Sequence, residues 1–372
     1  MNVLFTSNVS QMGGGETSLL LVIKQLKNKC NVYFVCDKDG TFPDLLRDEG
    51  IPVYIINFTN KKKLLYNIRI LRKLLIKNNI SVIHNNEWST SILFGYICRF
   101  TRRKIKNYWT CHGQWYSFSC FKRFISDALI DGIFCVSQNV KKNLVRYGFK
   151  KDKCLLNYLG INVNSISKND FSLKNELGLK KDDFIIGTVA RFDPVKGQRK
   201  AVKAIIKLLS EYKSLHYVIV GGCWLNNPKN KSYLDSVKNI INENNLNDRI
   251  HLLGERRNVS EIMDDFNILL VPSDSESLGM VVLEALIKNI PVISTPCEGP
   301  QEILNNNRNF ICDSNDSEGI YLKLNPLLRD INIYNNLKKE TYLMNKRVVS
   351  MFNVQRTANN YLKKFEADYG DK

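Results

Sequence analysis

The sequence predicts an α/β protein built from two successive doubly wound units, each with a parallel sheet. Short runs of Val, Ile, Leu and Phe alternate with longer helical patterns from end to end, which is typical of parallel strands covered by helices. The chain has 372 residues. Because one hydrophobic core seldom supports that length, we expect two domains of about 150 to 200 residues each.

Twelve short apolar segments are predicted as strands. The first half contains seven of them, at 3–6, 32–36, 53–56, 82–84, 106–110, 132–136 and 153–156. The second half contains five, at 184–189, 216–220, 250–253, 268–271 and 291–294. A polar stretch without a strand pattern, 162–183, separates the two sets, so we predict domains at 1–165 and 166–349. The tail from residue 342 has a helical pattern with three aromatic anchors, and we expect the helix at 350–372 to pack back on the first domain.

Composition narrows the classes of protein. The formal charge of +18 and pI of about 9.4 favour a polyanionic partner, although the abundance of Lys beside Asn and Ile also fits a genome-wide bias. Ten scattered cysteines without zinc spacings indicate reduced thiols. No apolar run approaches the roughly 20 residues of a membrane span, and the first residues do not resemble a signal peptide. We therefore expect a cytoplasmic protein.

Two carboxylates, Glu276 and Glu284, lie on either side of the junction between a buried strand and a predicted helix at 280–287. If the first residues already coil, the two are roughly 80° apart around the helix and can face one cavity. Gly279 leaves the N–H groups at the start of this helix uncapped, which suits an anion. Carboxylates that accept sugar hydroxyl groups, beside backbone amides that bind phosphate, indicate a sugar-nucleotide site. The alternative is that both residues are ordinary acids on the surface of a helix.

Three further groups follow other strands. Arg191 and Lys196 can clamp a diphosphate by a guanidinium fork and a point charge, or form a solvated basic turn. Gly13, Gly14 and Gly15 open a helix after the first strand but break both glycine fingerprints for nucleotides, so a plain turn stays open. His112 fits either a ligand contact or an ordinary turn. Collectively, all of these residues follow the carboxyl ends of strands, where parallel sheets bind ligands.

At this point the chain resembles the retaining glycosyltransferases of family 4, which have the GT-B architecture of two Rossmann-like domains facing each other across a cleft. Four stretches carry the resemblance in matching order: 13–15, 136–162, 190–197 and 276–284. Two departures are Ser277-Leu278 in place of Gly-Phe and Asn162 in place of the usual Asp. The resemblance implies a metal-independent glycosyltransferase without a cofactor.

The resemblance also implies roles for particular residues. His112 and Glu276 would contact the donor sugar as catalytic residues, and Glu284 would hold the ribose. Arg191 and Lys196 would neutralise the diphosphate of a nucleotide sugar, expected to be a UDP-sugar. The remaining donor-binding residues would be Gly14, Gly15, Gly254, Arg256, Gly279, Met280 and Val281. No metal site is expected; the Asp37-Lys38-Asp39 run only superficially resembles an Asp-x-Asp metal motif.

The acceptor is indicated only by a basic, amphipathic segment at 61–77. It contains seven Lys or Arg residues and no acid, which suits an anionic membrane surface or a helix packed on the sheet. We expect a peripheral enzyme at the inner face of the membrane that extends a glycan or lipid-linked acceptor of lipopolysaccharide, capsule or exopolysaccharide. The alternatives are a sugar-nucleotide epimerase of the same architecture and a nucleic-acid-binding protein, for which charge is the sole support; we expect no nucleic-acid partner.

Overall fold

A computed structural model describes residues 1–101, 104–113, 116–163, 171–223 and 227–370. The chain divides into two compact units, one formed by Met1–Asn162 with Met351–Lys372 and the other by Val163–Ser350. The predicted boundary between residues 165 and 166 lies outside the described residues.

The first unit contains a seven-stranded parallel sheet in the order β3-β2-β1-β4-β5-β6-β7. All seven predicted strands are confirmed to within one or two residues. Their bounds are β1 Asn2–Ser7, β2 Asn31–Cys36, β3 Val53–Ile55, β4 Val82–Asn85, β5 Lys106–Cys111, β6 Gly132–Cys135 and β7 Cys154–Leu156.

Helices cover both faces of this sheet, which explains why the strands are apolar without alternation. Successive side chains of β1 alternate between two buried clusters: Phe5 packs in one with Phe34 and Phe42, and Leu4 packs in the other with Ile83. The connecting helices are α1 Gly14–Leu26, α2 Thr41–Asp48, α3 Leu64–Lys77 after a 3-10 turn at Lys61–Lys63, α4 Trp88–Arg99, α5 Cys120–Leu129 and α6 Gln138–Arg146.

The second unit contains a five-stranded parallel sheet in the order β10-β9-β8-β11-β12. Its strands, β8 Phe184–Val189, β9 Leu215–Val220, β10 Ile250–Gly254, β11 Ile268–Val271 and β12 Val292–Ser294, confirm the five predicted ones. Its helices are α7 Leu173–Glu176, α8 Gln198–Glu211, α9 Pro228–Glu243, α10 Val259–Asp264, α11 Met280–Ile287, α12 Glu298–Ile303, α13 Ser317–Arg329 and α14 Ile331–Met351. The predicted helix at 280–287 is confirmed as α11.

The last helix, α15 Val354–Gly370, belongs to the first unit. The predicted anchors Phe352, Tyr361 and Phe365 are all buried. Backbone hydrogen bonds join this tail to the segment that follows β7, with Ile161 N donating to Phe352 O over 2.9 Å. Across the described ranges, no helix has both the length and the apolar character that a bilayer crossing requires.

Candidate active site

The predicted donor-binding residues of the second unit all lie beyond one edge of its sheet. Arg191 and Lys196 follow β8, Gly254 ends β10 and Arg256 follows it, and the segment from Glu276 to Val281 follows β11. Because every strand of this sheet is parallel, the carboxyl ends share that edge. The fold therefore places these residues on loops of one side of the unit.

Lys196 and Glu276 are in direct contact. The Lys196 ammonium donates to Oε1 of Glu276 over 2.6 Å, and the Ser273 hydroxyl donates to the same oxygen over 2.9 Å. The two charged side chains are only 16% and 15% exposed. The structure thus brings together two predicted site residues that are 80 positions apart in the chain.

The turn that carries Lys196 is stabilised by one side-chain cap and one backbone hydrogen bond. Pro194–Lys196 forms a 3-10 turn whose first N–H, from Val195, is capped by the Asp193 carboxylate over 3.1 Å. The N–H of Asp274 donates to the carbonyl of Val195 over 2.7 Å. The loops after β8 and β11 are therefore fastened to each other next to the ion pair.

Arg191 lies at the more open side of the same turn. Its guanidinium is 3.3 Å from Oδ2 of Asp193, and its side chain is 44% exposed. An ion pair this exposed contributes about 0 to 1 kcal/mol, so a phosphate can compete for the guanidinium. Its position agrees with the predicted diphosphate contact, which stays a prediction.

The start of α11 has the geometry expected of an anion site. Gly279 is the N-terminal capping residue and has φ of +93°, a left-handed conformation that favours glycine. Without a side chain at that position, the N–H groups of Met280 and Val281 receive no side-chain cap. The helix supplies a partial positive charge at the same point.

Glu284 lies one turn further along α11, between buried apolar neighbours. Burial raises the pKa of its carboxyl, and the nearby Lys288 ammonium partly offsets this. Within the described chain no hydrogen bond reaches the carboxylate, so hydroxyl donors of a ligand would supply the partners that a buried acid needs.

The angular relation predicted between Glu276 and Glu284 required Glu276 to be helical, and the structure does not meet that condition. The helix begins at Met280, so Glu276 lies in an irregular loop four residues earlier. What positions Glu276 instead is the Lys196 contact together with its backbone carbonyl, which accepts the N–H of Gly299 over 3.0 Å. Tertiary contacts therefore replace the helical geometry that the spacing suggested.

Gly254 and Arg256 lie at the end of β10, at the same sheet edge. Gly254 has φ of +66°. The Arg256 guanidinium forms a two-pronged pair with the Glu176 carboxylate, at 2.6 and 2.8 Å, and its Nε donates to Asn258 over 3.2 Å. A role for Arg256 at the base of the nucleotide stays a prediction, and it would act alongside this existing pair.

In the first unit, the glycine loop and His112 also share one sheet edge. Gly14 and Gly15 form the first turn of α1, which is the helix after β1, and His112 directly follows β5. His112 Nε2 is 2.7 Å from Oδ1 of Asn86, which follows the intervening strand β4. The amide nitrogen of Asn86 donates to Oε1 of Glu16 over 3.2 Å.

Sequence reasoning missed Asn86, Glu16 and their neighbour Glu87. Glu87 accepts the Ser7 hydroxyl over 2.7 Å and the Asn8 N–H over 3.1 Å, and burial raises the pKa of its carboxyl to about 7. Two sequence patterns could have pointed to these residues. One is the polar run 85–87 directly after an apolar strand, and the other is an acid directly after three glycines. Both patterns place polar groups at carboxyl ends of strands.

In the ranges that the structure covers, no group of three or more His, Cys, Asp or Glu side chains is arranged to hold a metal ion. The chemistry that can be assigned to the described residues is the binding of anions and hydroxyl groups. Cationic groups, uncapped amides and carboxylates are all present at the carboxyl edge of the second sheet.

Comparison with known families decides the family. The profile "Glycosyltransferase Family 4" matches residues 12–165, and the profile "Glycosyl transferases group 1" matches residues 169–344. Together they cover residues 12–344 apart from 166–168. The chain belongs to glycosyltransferase family 4.

Curated relatives of this family 4 chain include two enzymes whose names describe different activities. The O-antigen biosynthesis glycosyltransferase WbnH of Escherichia coli is 25% identical over 367 residues, covering 97% of this chain and 98% of the relative. The N-acetyl-alpha-D-glucosaminyl L-malate synthase of Bacillus anthracis is 28% identical over 166 residues, covering 44% of this chain. The match spans only 41%, 42% and 60% of the length of three curated relatives, that synthase among them.

Solved structures agree on the fold of this family 4 chain. Anabaena HepE in complex with UDP-glucose superposes with a TM-score of 0.85 at 18% identity, covering 99% of this chain and all of that one. A glycosyltransferase from Rickettsia africae gives the same TM-score at 19% identity, covering 98% of each chain. These likenesses confirm the predicted GT-B fold with two Rossmann-like domains.

Proposed function

We propose that this glycosyltransferase moves a sugar from a nucleotide-diphosphate sugar, a UDP-sugar, to a glycan or lipid-linked acceptor in surface-polysaccharide synthesis. Support for the acceptor class comes from WbnH, which matches along nearly its whole length and is named for O-antigen biosynthesis. Support for the donor comes from the similar fold of HepE, which was solved with UDP-glucose. Lipopolysaccharide, capsule and exopolysaccharide are the products within this class.

The observation that carries the donor proposal is the Lys196–Glu276 pair beside the uncapped start of α11. A diphosphate needs cations and N–H donors, and this edge offers the Lys196 ammonium, the Arg191 guanidinium and the N–H groups of Met280 and Val281. When the glycosidic bond breaks, negative charge grows on the leaving diphosphate, and these groups stabilise it.

The same edge offers acceptors for hydroxyl groups. Glu276 shares its Oε1 between Lys196 and Ser273 and keeps Oε2 for a sugar hydroxyl. Glu284, which lacks a hydrogen bond within the described chain, takes the ribose hydroxyls in this proposal. His112 of the first unit contacts the donor sugar. On the family resemblance we propose that the anomeric configuration of the sugar is retained. NMR of the first-formed product would determine this configuration.

Nucleotide binding tests the donor site. We expect UDP to raise the melting temperature and NAD to leave it unchanged, since a ligand at 100 times its Kd stabilises by about 2.7 kcal/mol. Lys196→Ala should weaken UDP binding about 10- to 100-fold, because a hydrogen bond to a charged group contributes about 1.5 to 3 kcal/mol. A thermal-shift assay measures the first effect and isothermal titration calorimetry the second. Binding that is insensitive to EDTA is expected because Lys and Arg supply the positive charge.

Lys207→Ala is the matched control for that experiment. Lys207 also pairs with a carboxylate, Glu318, but both side chains are 52% exposed and belong to helices α8 and α13. Removing it deletes a lysine and an ion pair without touching the loops after β8 and β11. A protein that fails to bind UDP, or a Lys196→Ala variant that binds as the control does, would contradict the proposed donor site.

A surface of the first unit supports a membrane-linked acceptor. Helices α3 and α5 both begin at the carboxyl edge of the sheet, the edge where His112 lies, because each follows a parallel strand there. Their first turns expose large apolar side chains: Leu65 is 77% exposed, Phe121 72% and Phe124 69%. We call these residues, with Tyr66, Lys62, Lys63 and Lys122, the apolar-basic rim.

The apolar-basic rim has the chemistry of a surface that meets an anionic bilayer. Apolar side chains enter the interface, and lysines attract anionic head groups at about 1 kcal/mol each. The buried side of α3, with Leu71, Leu74 and Leu75, packs on the sheet. The two uses predicted for segment 61–77 thus involve different faces of one helix, and we propose a peripheral location at the inner face of the membrane.

Vesicle sedimentation tests the apolar-basic rim. We expect binding to vesicles that contain phosphatidylglycerol at low salt, weaker binding to pure phosphatidylcholine, and loss of binding in the Leu65→Ser/Phe124→Ser variant. Leu322→Ser is the matched control, because Leu322 is 60% exposed on α13 of the second unit. Equal sedimentation of both variants, or no sedimentation of the unmodified protein, would refute the membrane proposal.

A further inference from the structure

His112 has one ring nitrogen with a partner and one without. Nε2 lies 2.7 Å from Oδ1 of Asn86, whereas Nδ1 is buried and has no hydrogen-bond partner in the described chain. A β-carbon placed on Gly15 would lie 3.5 Å from both Nδ1 and Cε1, so this nitrogen faces the glycine loop. A buried, unpartnered nitrogen is costly unless a ligand supplies its partner.

Asn86 determines which of the two nitrogens carries the proton. Its amide nitrogen donates to Glu16, so its oxygen is the atom directed at His112. An amide oxygen can only accept, so Nε2 of His112 must be the N–H donor of that contact. Burial lowers the pKa of His112 to about 4, so the ring is neutral near pH 7 and Nδ1 is left with a lone pair.

Glu16 in turn prevents the amide from reversing. Its side chain is buried in the first turn of α1, and burial raises the pKa of the carboxyl, while the N–H groups of Glu16 and Gly13 and the Asn86 amide favour the charged form. The positive end of α1 favours the same charged form. Against an ionised Glu16, a reversed Asn86 amide would direct its oxygen at the carboxylate and its NH₂ at the Nε2–H, which loses both hydrogen bonds.

We propose that Asn86, oriented by Glu16, is a positioning residue that holds His112 in the Nε2–H tautomer, so that Nδ1 accepts a hydrogen bond from a hydroxyl of the donor sugar. The part of this proposal that concerns the sugar rests on the proposed donor. The part that concerns the tautomer does not, because it follows from contacts in the ligand-free protein. Neither Asn86 nor Glu16 needs to touch the substrate.

Nitrogen-15 NMR of histidine-labelled protein reads the tautomer directly. The chain has four histidines, so four ring systems appear. We expect Nε2 of His112 to show the shift of a protonated nitrogen and Nδ1 that of an unprotonated one. Asn86→Leu should convert this pattern to a mixture of tautomers, while the signals of His84, His216 and His251 stay in place and report an intact fold.

Two further variants sharpen the test. Glu16→Gln, which leaves Asn86 in place but lets its amide reverse, should also mix the tautomers. Glu87→Gln should not, because Glu87 is a half-buried acid next to Asn86 whose hydrogen bonds go to Ser7, Asn8 and Thr90 instead. A Nδ1–H tautomer in the unmodified protein, or an unchanged pattern in both Asn86→Leu and Glu16→Gln, would overturn the positioning role.

Adding nucleotides separates this proposal from the donor proposal. UDP-glucose, UDP-galactose or UDP-N-acetylglucosamine should move the Nδ1 signal, and UDP, which lacks the sugar, should not. If all bind and none moves Nδ1, the hydroxyl contact is refuted while the donor site stands. If none binds, the donor proposal fails and the hydroxyl contact fails with it, and the ligand-free spectra still decide the role of Asn86.

Discussion

Gly197 joins the 3-10 turn that carries Lys196 to the first turn of α8. Its φ is +69°, in the left-handed region. A β-carbon there would collide with the carbonyl oxygen of Pro272, the residue that follows β11. The close approach of these two backbones is what lets Lys196 reach Glu276, so Gly197 is needed for both its conformation and its lack of a side chain.

Replacing Gly197 should therefore cost more than backbone strain alone. Gly178 offers the comparison, because it has φ of +64° and nothing within 4 Å of an added β-carbon. We expect Gly178→Ala to lower the free energy of unfolding by about 1 to 2 kcal/mol. Gly197→Ala should lower it further and also weaken UDP binding. If both variants lose the same free energy of unfolding in urea denaturation, and calorimetry gives an unchanged UDP affinity for Gly197→Ala, the Pro272 contact does not matter.

At the same scale, sequence reasoning could name the charged residues but not their partners. Arg191, Lys196, Glu276 and Glu284 were predicted because each follows a strand in a chain where all strands are parallel. The pairing of Lys196 with Glu276 could not be predicted, because it depends on the approach of loops that are 80 positions apart in the chain. Glu16 and Asn86 were missed for the same reason: their significance lies in their contact with each other.

Strands β9 and β10 carry a pair of histidines at the edge of the second sheet away from the site. His216 Nδ1 and His251 Nε2 are 3.2 Å apart, and their rings stack. Burial lowers the pKa of both histidines, and that of His251 falls to about 4. Neighbouring charges raise or lower these pKa values further. The charged groups that act on the pair are Asp183 and Asp248, which favour protonation, and Arg249 and Lys174, which oppose it.

This pair makes the stability of the protein depend on pH. Because the folded pKa lies below the unfolded value of about 6.5, the contribution is present above pH 6.5 and is lost as the pH falls toward 4. We expect the melting temperature to drop between pH 7.5 and 5.0, and to drop less in the His216→Gln/His251→Gln variant. In this range the unfolded chain binds more protons than the folded one. The free energy of unfolding therefore falls by at most about 1.4 kcal/mol per pH unit for each extra proton bound.

Other groups with shifted pKa values also make stability depend on pH, so the double variant has to be compared with the unmodified protein. Glu87 and Glu284 have raised pKa values and act in the opposite direction, whereas His84 and His112 act in the same one. The double variant leaves all four unchanged. A pH dependence that is identical in both proteins would show that the β9–β10 pair does not contribute.

For the whole molecule, the chain crosses from the first unit to the second and returns. Phe365 on α15 packs against Tyr108 and Phe134 of the first sheet, and Tyr361 shares a buried hydrogen bond of 2.8 Å with Thr110. The last helix thus completes the core of the first unit, more than 190 residues after the rest of that unit ends. Periodicity and the aromatic spacing predicted the helix and its anchors.

By itself, the sequence determined the α/β class, the twelve strands, the helix after β11 and the family. These follow from side-chain periodicity and from residues at strand ends, which are local properties of the chain. Only the tertiary structure decided that Lys196 meets Glu276, that Glu276 precedes its helix, and that Glu16 orients Asn86 toward His112. Such contacts depend on the order of strands in a sheet and on how closely loops pack, which no local pattern records.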